Sequence, residues 1–334
     1  MDLLGKTPAE WATELAPHGT RDNILRAVRA VYRGETAEPW RLPDLGARLA
    51  GELERRGLGG ALPPVLSRSS SEDGAEKLLV ATASGAVEAV LIPDVRLESS
   101  KEKMRRTTAP AKALKRPRTP RPRRAAGCIS TQVGCAVGCT FCASGLLGLA
   151  KNLTAAELVA QVLLLRAAAR ERGILLTTLV FTGMGEPLHN TDALLRALEL
   201  LTDYSGGEMG PGTLTVSTVG VVPGIERLAA LGRRAPNLAL SLHAPDDATR
   251  ARIIPMKNLA SAREALDAAR AFARATRRFV TVSYVLLDGV NDAPEQADAL
   301  AALVEGTRFH VNLIPWNSVP GIAHAPSRRE RAQD

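Results

Sequence analysis

Residues 128–142 read C-I-S-T-Q-V-G-C-A-V-G-C-T-F-C and contain all four cysteines of the 334-residue chain. Cys135, Cys139 and Cys142 form C-x-x-x-C-x-x-C within one short loop. Thiolates are the usual ligands of iron–sulfur clusters, and three so close in sequence can grip three corners of a [4Fe–4S] cube. The fourth iron then stays open to a substrate or cofactor. Gly134 and Gly138 suit a loop wrapped round a bulky inorganic group, because glycine reaches backbone angles closed to other residues. Two other readings stand beside this one. A cysteine zinc site usually has paired C-x-x-C units or histidine partners, whereas only one such unit and no histidine occur in the loop. Cys128 as a fourth thiolate would give a closed electron-transfer cluster.

Working outward, the composition sets limits. Hydrophobic residues make up 45% of the chain, enough for a large core. There is no apolar run of about 18 residues, so no membrane span is expected. The N-terminus M-D-L-L-G-K-T-P lacks the regions of a signal peptide. Unpaired cysteines fit a reducing, cytoplasmic setting. The net charge of +8 is concentrated in one place: residues 101–124 hold eleven Lys and Arg against one acid, Glu102, so this segment carries +10 and the remainder −2. Pro117, Pro120 and Pro122 interrupt it, which argues for an extended arm able to bind phosphate backbones through charge. A solvated linker is the plainer alternative. Aromatics are scarce at 3%, so base stacking on an aromatic platform is not indicated.

The secondary-structure signals divide the chain. Thr7-Pro8-Ala9-Glu10 is a capping box, and helices are expected to about Leu15, over Arg21–Tyr32 and over Leu45–Arg56. Lys77–Thr82 and Ala86–Ile92 read as a β-hairpin. From Gly127 onward, strand and helix patterns alternate. Strands are expected from Gly127 to Val133, Leu175 to Phe181, Leu214 to Thr218, Leu238 to Leu242, Phe279 to Leu287 and Phe309 to Pro315. Such alternation implies parallel strands joined by helical crossovers. Six units fall short of a closed eight-fold barrel, so the expected fold is α/β, an open partial (β/α)6 barrel with a small N-terminal helical module and a β-hairpin. The expected divisions are a helical RNA-binding-like module at 1–60, the hairpin at 61–98, the basic arm at 99–126, the partial barrel at 127–320 and a tail at 321–334.

Active residues in such sheets lie at the C-terminal strand ends. The cysteine loop, G-M-G-E-P (183–187), Ser217, Ser241-Leu242-His243 and Asn317 all fall there. A bare iron, close-approach glycines and a carboxylate on one rim suit a small zwitterionic cofactor with an adenosine part.

C-x-x-x-C-x-x-C followed by G-M-G-E-P resembles the radical S-adenosylmethionine enzymes. Together with C-I-S-T-Q-V-G-C, V-S-T-V-G-V-V-P (216–223), S-L-H-A-P (241–245), L-L-D-G-V-N-D (286–292) and N-L-I-P-W-N (312–317), it resembles the RlmN/Cfr family of RNA adenine methyltransferases, on the RlmN side. The resemblance implies that Cys135, Cys139 and Cys142 hold a [4Fe–4S] cluster. S-adenosylmethionine would chelate the open iron, with Gly185 and Glu186 at its methionine end. Ser217, Ser241, Leu242, His243 and Asn317 would line the rest of the pocket. Glu88 matches the family's general base; in an apolar strand facing a closed site its pKa would be raised. Cys128 matches the cysteine that helps resolve a protein–RNA adduct. The implied reaction methylates carbon 2 of an adenosine in ribosomal or transfer RNA. One cofactor molecule methylates a cysteine near the C-terminus, and a second, cleaved reductively, abstracts hydrogen from that methyl group. A flavodoxin or ferredoxin would supply the electron.

Two departures accompany the resemblance. No cysteine follows Cys142, so the methyl carrier is expected to be missing from these 334 residues. The basic arm stands where the family has a short link. Two rival functions follow: a different reaction of the same adenosyl radical, and RNA binding without catalysis.

Overall fold

The computed structural model describes residues 2–59, 62–93 and 123–328. Four strands, β1 (Val65–Ser70), β2 (Glu76–Thr82), β3 (Gly85–Pro93) and β4 (Arg123–Ile129), form an antiparallel meander. β5 (Gln132–Gly134) and β6 (Leu149–Asn152) form a separate small ladder. The parallel strands β7 (Ile174–Phe181), β8 (Leu214–Thr218), β9 (Asn237–Ser241), β10 (Val280–Leu286) and β11 (His310–Pro315) continue from β4. Among the described residues the result is one nine-stranded sheet in the order β1-β2-β3-β4-β7-β8-β9-β10-β11. Its six parallel strands are those expected, and it ends at β1 and β11 without closing: an open partial barrel.

The helices follow their sequence signals. α1 (Pro8–Glu14), α2 (Arg21–Tyr32) and α3 (Ala47–Arg55) make the N-terminal module; α4 (Ala143–Leu146) is a single turn after the cysteines. α5 (Ala155–Glu171), α6 (Thr191–Thr202), α7 (Val222–Ala229), α8 (Asp247–Ile253), α9 (Ala262–Thr276) and α10 (Pro294–Val304) belong to the barrel. Thr154 Oγ1 accepts from the Glu157 amide at 3.2 Å, and Glu157 returns the bond to Thr154 N at 2.7 Å, so α5 starts with two orphan donors satisfied. Leu158, Val159, Val162 and Leu165 of α5 are buried in the main core with Leu91, Ile129 and Leu179 of the sheet. The helical module shares this core through Trp11, Ile24 and Leu49. Arg166 of α5 donates to the carbonyls of Tyr32 and Gly207, tying the module to the barrel.

Three boundaries differ from expectation. The hairpin is not a separate segment, because Val90 of β3 pairs with Cys128 of β4 in the common sheet, and β1 adds a third strand. β4 starts at Arg123, so residues 123–126 belong to the sheet and not to the arm; residues 99–122 of the expected arm lie outside the described residues. The strand expected to run through Val133 stops at Ile129, and the chain re-pairs locally as β5. Past β11 the chain folds back: Trp316 Nε1 donates to the Phe141 carbonyl at 2.8 Å, and His324 Nε2 lies 2.8 Å from Thr140 Oγ1. Among the described residues no helix is long and apolar enough to cross a membrane.

Candidate iron–sulfur and cofactor site

The cysteine loop is a pinched excursion from the end of β4. β5 leads out, Cys135, Cys139 and Cys142 follow, and β6 returns antiparallel to β5 with Gln132 opposite Asn152. At the neck, Cys135 N donates to the Gly148 carbonyl at 2.9 Å. Gly134 sits at φ +76, and a Cβ there would lie 1.7 Å from the Gly148 oxygen, so only glycine fits. Within the loop, Cys142 N donates to the Cys139 carbonyl (3.1 Å) and Thr140 N to the Ile253 carbonyl (3.0 Å).

The three loop thiols are partly exposed and unpaired. Burial pushes Cys139 up to about 12, and the neighbouring Cys142, Cys135 and Glu186 push the same way. Cys135 is raised by burial and, further, by Glu186 and Cys142. Cys135 and Cys139, whose ionisation burial and neighbouring anionic groups oppose, are donors in want of a cation. Among the described residues no three of His, Cys, Asp and Glu converge closely enough for a single metal ion. A cubane takes its thiolates on separate corners, spread wider than the ligands of a single ion. The residues present therefore fit a three-thiolate cluster.

A buried polar network backs the loop. Gly183 N donates to the Ile129 carbonyl (3.1 Å), and Thr131 N to the Met184 carbonyl (2.9 Å), so G-M-G-E-P is strapped along the end of β4. Gln132 Oε1 accepts from Glu186 N at 2.8 Å, and its Nε2 donates to Asn152 Oδ1 at 2.7 Å. Gly185 packs so closely here that a Cβ would lie 2.7 Å from Gln132 Cβ. Gln161 of α5 brackets Ser130, accepting from its amide (2.9 Å) and donating to its carbonyl (3.0 Å). Asn190 Nδ2 donates to the Thr131 and Leu153 carbonyls. Sequence reasoning missed Gln132, Asn152, Gln161 and Asn190 as site supports. The one available signal was Gln161, a lone amide in the apolar run of α5.

Glu186 is 3% exposed. Its carboxylate accepts from Leu188 N and Val219 N, each at 2.9 Å. Burial pushes the carboxyl up to about 7 against the pull of these donors. A buried carboxylate beside the thiols can accept a further hydrogen bond from a polar group that enters the site.

The remaining rim residues divide. Ser217 Oγ at the end of β8 lies 3.3 Å from Ser241 Oγ at the end of β9. His243 is buried at φ +60, and its Nδ1 accepts from Val285 N at 3.0 Å. The ring proton therefore sits on Nε2, and burial followed by the nearby Arg250 holds the imidazole neutral, down to about 3. The Phe141 ring, between Cys139 and Cys142, meets His243 edge-on at 5.0 Å. This joins the cysteine loop to the β9 end. Leu242 is fully buried in the main core, so only its backbone can face a cofactor. Asn317 is exposed, next to Trp316 on the cysteine loop.

Cys128 and Glu88 form a second locus. Burial, then the charge of Glu88, push the Cys128 thiol up to about 11, whereas the raised loop thiols are influenced by one another and Glu186. Cys128 pairs with Val90 and so shares a sheet face with Glu88, two residues along β3. The expectation of an enclosed Glu88 fails: its side chain is 41% exposed and Oε1 accepts from Lys77 Nζ at 2.8 Å. The cause is register. Leu79 of β2 pairs with Glu88, which brings Lys77, two residues along the same face, within reach.

Comparison with known proteins agrees with this geometry. Residues 129–301 match the model of the Radical SAM superfamily. The chain is 40% identical to the dual-specificity RNA methyltransferase RlmN of Sorangium cellulosum, over 98% of this chain and 86% of that protein. It is also 40% identical to the probable dual-specificity RNA methyltransferase RlmN 1 of Opitutus terrae, over 99% and 86%. The crystal structure of a radical SAM methyltransferase from Sphaerobacter thermophilus superimposes with a TM-score of 0.83 at 35% identity, covering all of this chain and 90% of that one.

Proposed function

Because the chain belongs to the RlmN family of radical S-adenosylmethionine RNA methyltransferases, whose cofactors are a [4Fe–4S] cluster and S-adenosylmethionine, we propose that it acts on carbon 2 of an adenosine in structured ribosomal or transfer RNA. The observation that carries this reading is the meeting of three parts on one rim: the Cys135–Cys139–Cys142 loop, the buried Glu186 behind it, and His243 against Phe141.

Cys135, Cys139 and Cys142 hold the cluster. Gly185 and Glu186 contact the cofactor's methionine end, Glu186 accepting from its amino group, while the bare Gly185 lets Gln132 pack behind. Ser217, Ser241, the Leu242 backbone, Asn317 and the Nε2–H of neutral His243 line the rest of the pocket. When bound, cluster and cofactor supply reductive carbon–sulfur cleavage and hydrogen abstraction. Glu88, bonded to Lys77, accepts a proton from the adenine, and Cys128 beside it offers a thiol to the RNA adduct. An external one-electron protein such as a flavodoxin or ferredoxin feeds the cluster. The basic residues between 101 and 122 hold the RNA backbone. Residues 1–334 contain no cysteine after Cys142, so this stretch supplies cofactor cleavage and RNA binding but not the methyl-carrying thiol.

Anaerobic protein given S-adenosylmethionine, dithionite and RNA should release 5′-deoxyadenosine. Residues 1–334 alone should leave no 2-methyladenosine on the RNA; joining a relative's cysteine-bearing C-terminal segment after Asn317 should produce it. A form lacking residues 101–122 should bind RNA more weakly and with a flatter salt dependence. Absence of 5′-deoxyadenosine would overturn the enzymatic reading in favour of RNA binding alone. Cleavage without methylation in the extended protein would favour a different radical reaction.

A further inference from the structure

Arg250 is the largest side chain fully withdrawn from solvent among the described residues. The sequence around it, D-A-T-R-A-R-I, does not distinguish it from exposed Arg252. On α8 it shares a helical face with Ile253 and Ile254, three and four residues on. Those two isoleucines pack with Val137 and Val219 in a small core beneath the cysteine loop, against which Cys135 and Cys139 lie. The same helix end receives the loop, since Thr140 N donates to the Ile253 carbonyl.

Arg250 Nη2 donates to the Val219 carbonyl. Nε and Nη1 are buried and have no hydrogen-bond partner. The other arginines with a buried, orphaned Nε, Arg29, Arg33 and Arg278, have only that one buried unpartnered group among the described residues. The acidic groups within electrostatic reach are Asp247 and the Cys139 thiol. A guanidinium so fully desolvated, with two donors unused, is strongly unfavourable unless an anion completes it. A cluster on three thiolates would be such an anion, and would be more negative once an external donor had given it one electron.

We propose that Arg250 is the buried counter-charge of the cysteine loop: its two free N–H groups face the iron–sulfur anion at Cys139 and favour the electron's arrival there. This rests on the reading that Cys135, Cys139 and Cys142 hold the cluster. Arg250 is a positioning residue and touches neither RNA nor the reacting atoms. A second consequence follows from the Val219 peptide, whose carbonyl Arg250 holds and whose N–H points at Glu186. A purely structural Arg250 would brace that peptide and do nothing else.

The test is an electron-paramagnetic-resonance redox titration of the anaerobically reconstituted 334-residue protein, as wild type, Arg250→Met and Arg250→Lys. Arg250→Met should load iron and sulfide but take up its electron at a lower midpoint potential. Arg250→Lys, which keeps the charge and loses the planar fork, should lie between the two. An unchanged midpoint in cluster-loaded Arg250→Met would overturn the proposal and leave Arg250 as a brace. If Arg250→Met does not load, Arg250→Gln, which is neutral but keeps N–H donors, decides: a lowered midpoint supports the proposal and an unchanged one overturns it. A wild type without any cluster signal would instead sink the underlying cluster assignment, and this inference with it.

Discussion

Replacing Cys135, Cys139 or Cys142 by Ala should each remove the brown iron–sulfur absorbance of anaerobically reconstituted protein and reduce S-adenosylmethionine cleavage to background. The expected effect is near-total because, in the proposed site, each thiolate holds a separate corner of the cluster and the loop carries no spare cysteine. Cys128, the remaining cysteine, belongs to β4 and is influenced by Glu88, not by the trio. Cys128→Ala should therefore keep full absorbance. This contrast separates an open three-thiolate cluster from the closed four-cysteine alternative. Loss of the cluster in Cys128→Ala, or retention in any of the other three, would reverse the assignment. The fold should survive all four changes, since the loop thiols are only half-buried and the main core does not include them.

Gly134→Ala should lose most of the cluster without touching a thiol. The new methyl would lie 1.7 Å from the Gly148 oxygen, and the residue is held at φ +76. The conformational strain alone costs about 1–3 kcal/mol. Relieving the clash means opening the neck of the loop, which also breaks the bond from Cys135 N to the Gly148 carbonyl, worth roughly 1 kcal/mol. Cys135 then moves away from Cys139 and Cys142. Gly148→Ala is the control. It sits directly across the neck at φ +62, yet its Cβ would meet nothing within 4 Å. Its cost is conformational only, about 1–2 kcal/mol, and the cluster should load. Iron and sulfide content against unfolding midpoint, measured for both variants, checks the pair. Equal loading would mean that the neck does not position Cys135.

How far the sequence spoke for itself depended on the kind of signal. The parallel strands from Leu214–Thr218 onward are short apolar runs, and their observed ends agree within a residue or so. The capping boxes at Thr7 and Thr154 placed helix starts for a local reason, two reciprocal bonds within four residues. β1 was missed because V-L-S-R-S-S is polar and largely exposed, with no alternating pattern to read. β4 began earlier than expected because Arg123 and Arg124 read as part of the basic run, although both pair with β7. The cysteine loop and the rim of Gly185, Glu186, Ser217, Ser241 and His243 could be placed because strand ends share one side of a parallel sheet.

What depended on register or burial could not be read. Glu88 looked enclosed among Val87, Ala89 and Val90, but alternation along β3 sends it to the other face from Val87 and Ala89, and Lys77 reaches it only through cross-strand pairing. Gln132, Gln161 and Asn190 are buried through bonds to distant backbone, which composition does not encode. Arg250 is the extreme case, since its nearest chain neighbours predict a solvated helix.

The central claim is that three thiolates leave one iron open and that S-adenosylmethionine docks there. Its most direct test is the electron-paramagnetic-resonance spectrum of the reduced, reconstituted protein before and after the cofactor is added. A changed spectrum that saturates with cofactor, and that reverts towards the cofactor-free form in Glu186→Ala, is the predicted result. A spectrum unaltered by excess cofactor, in protein that holds a full cluster, would contradict the account.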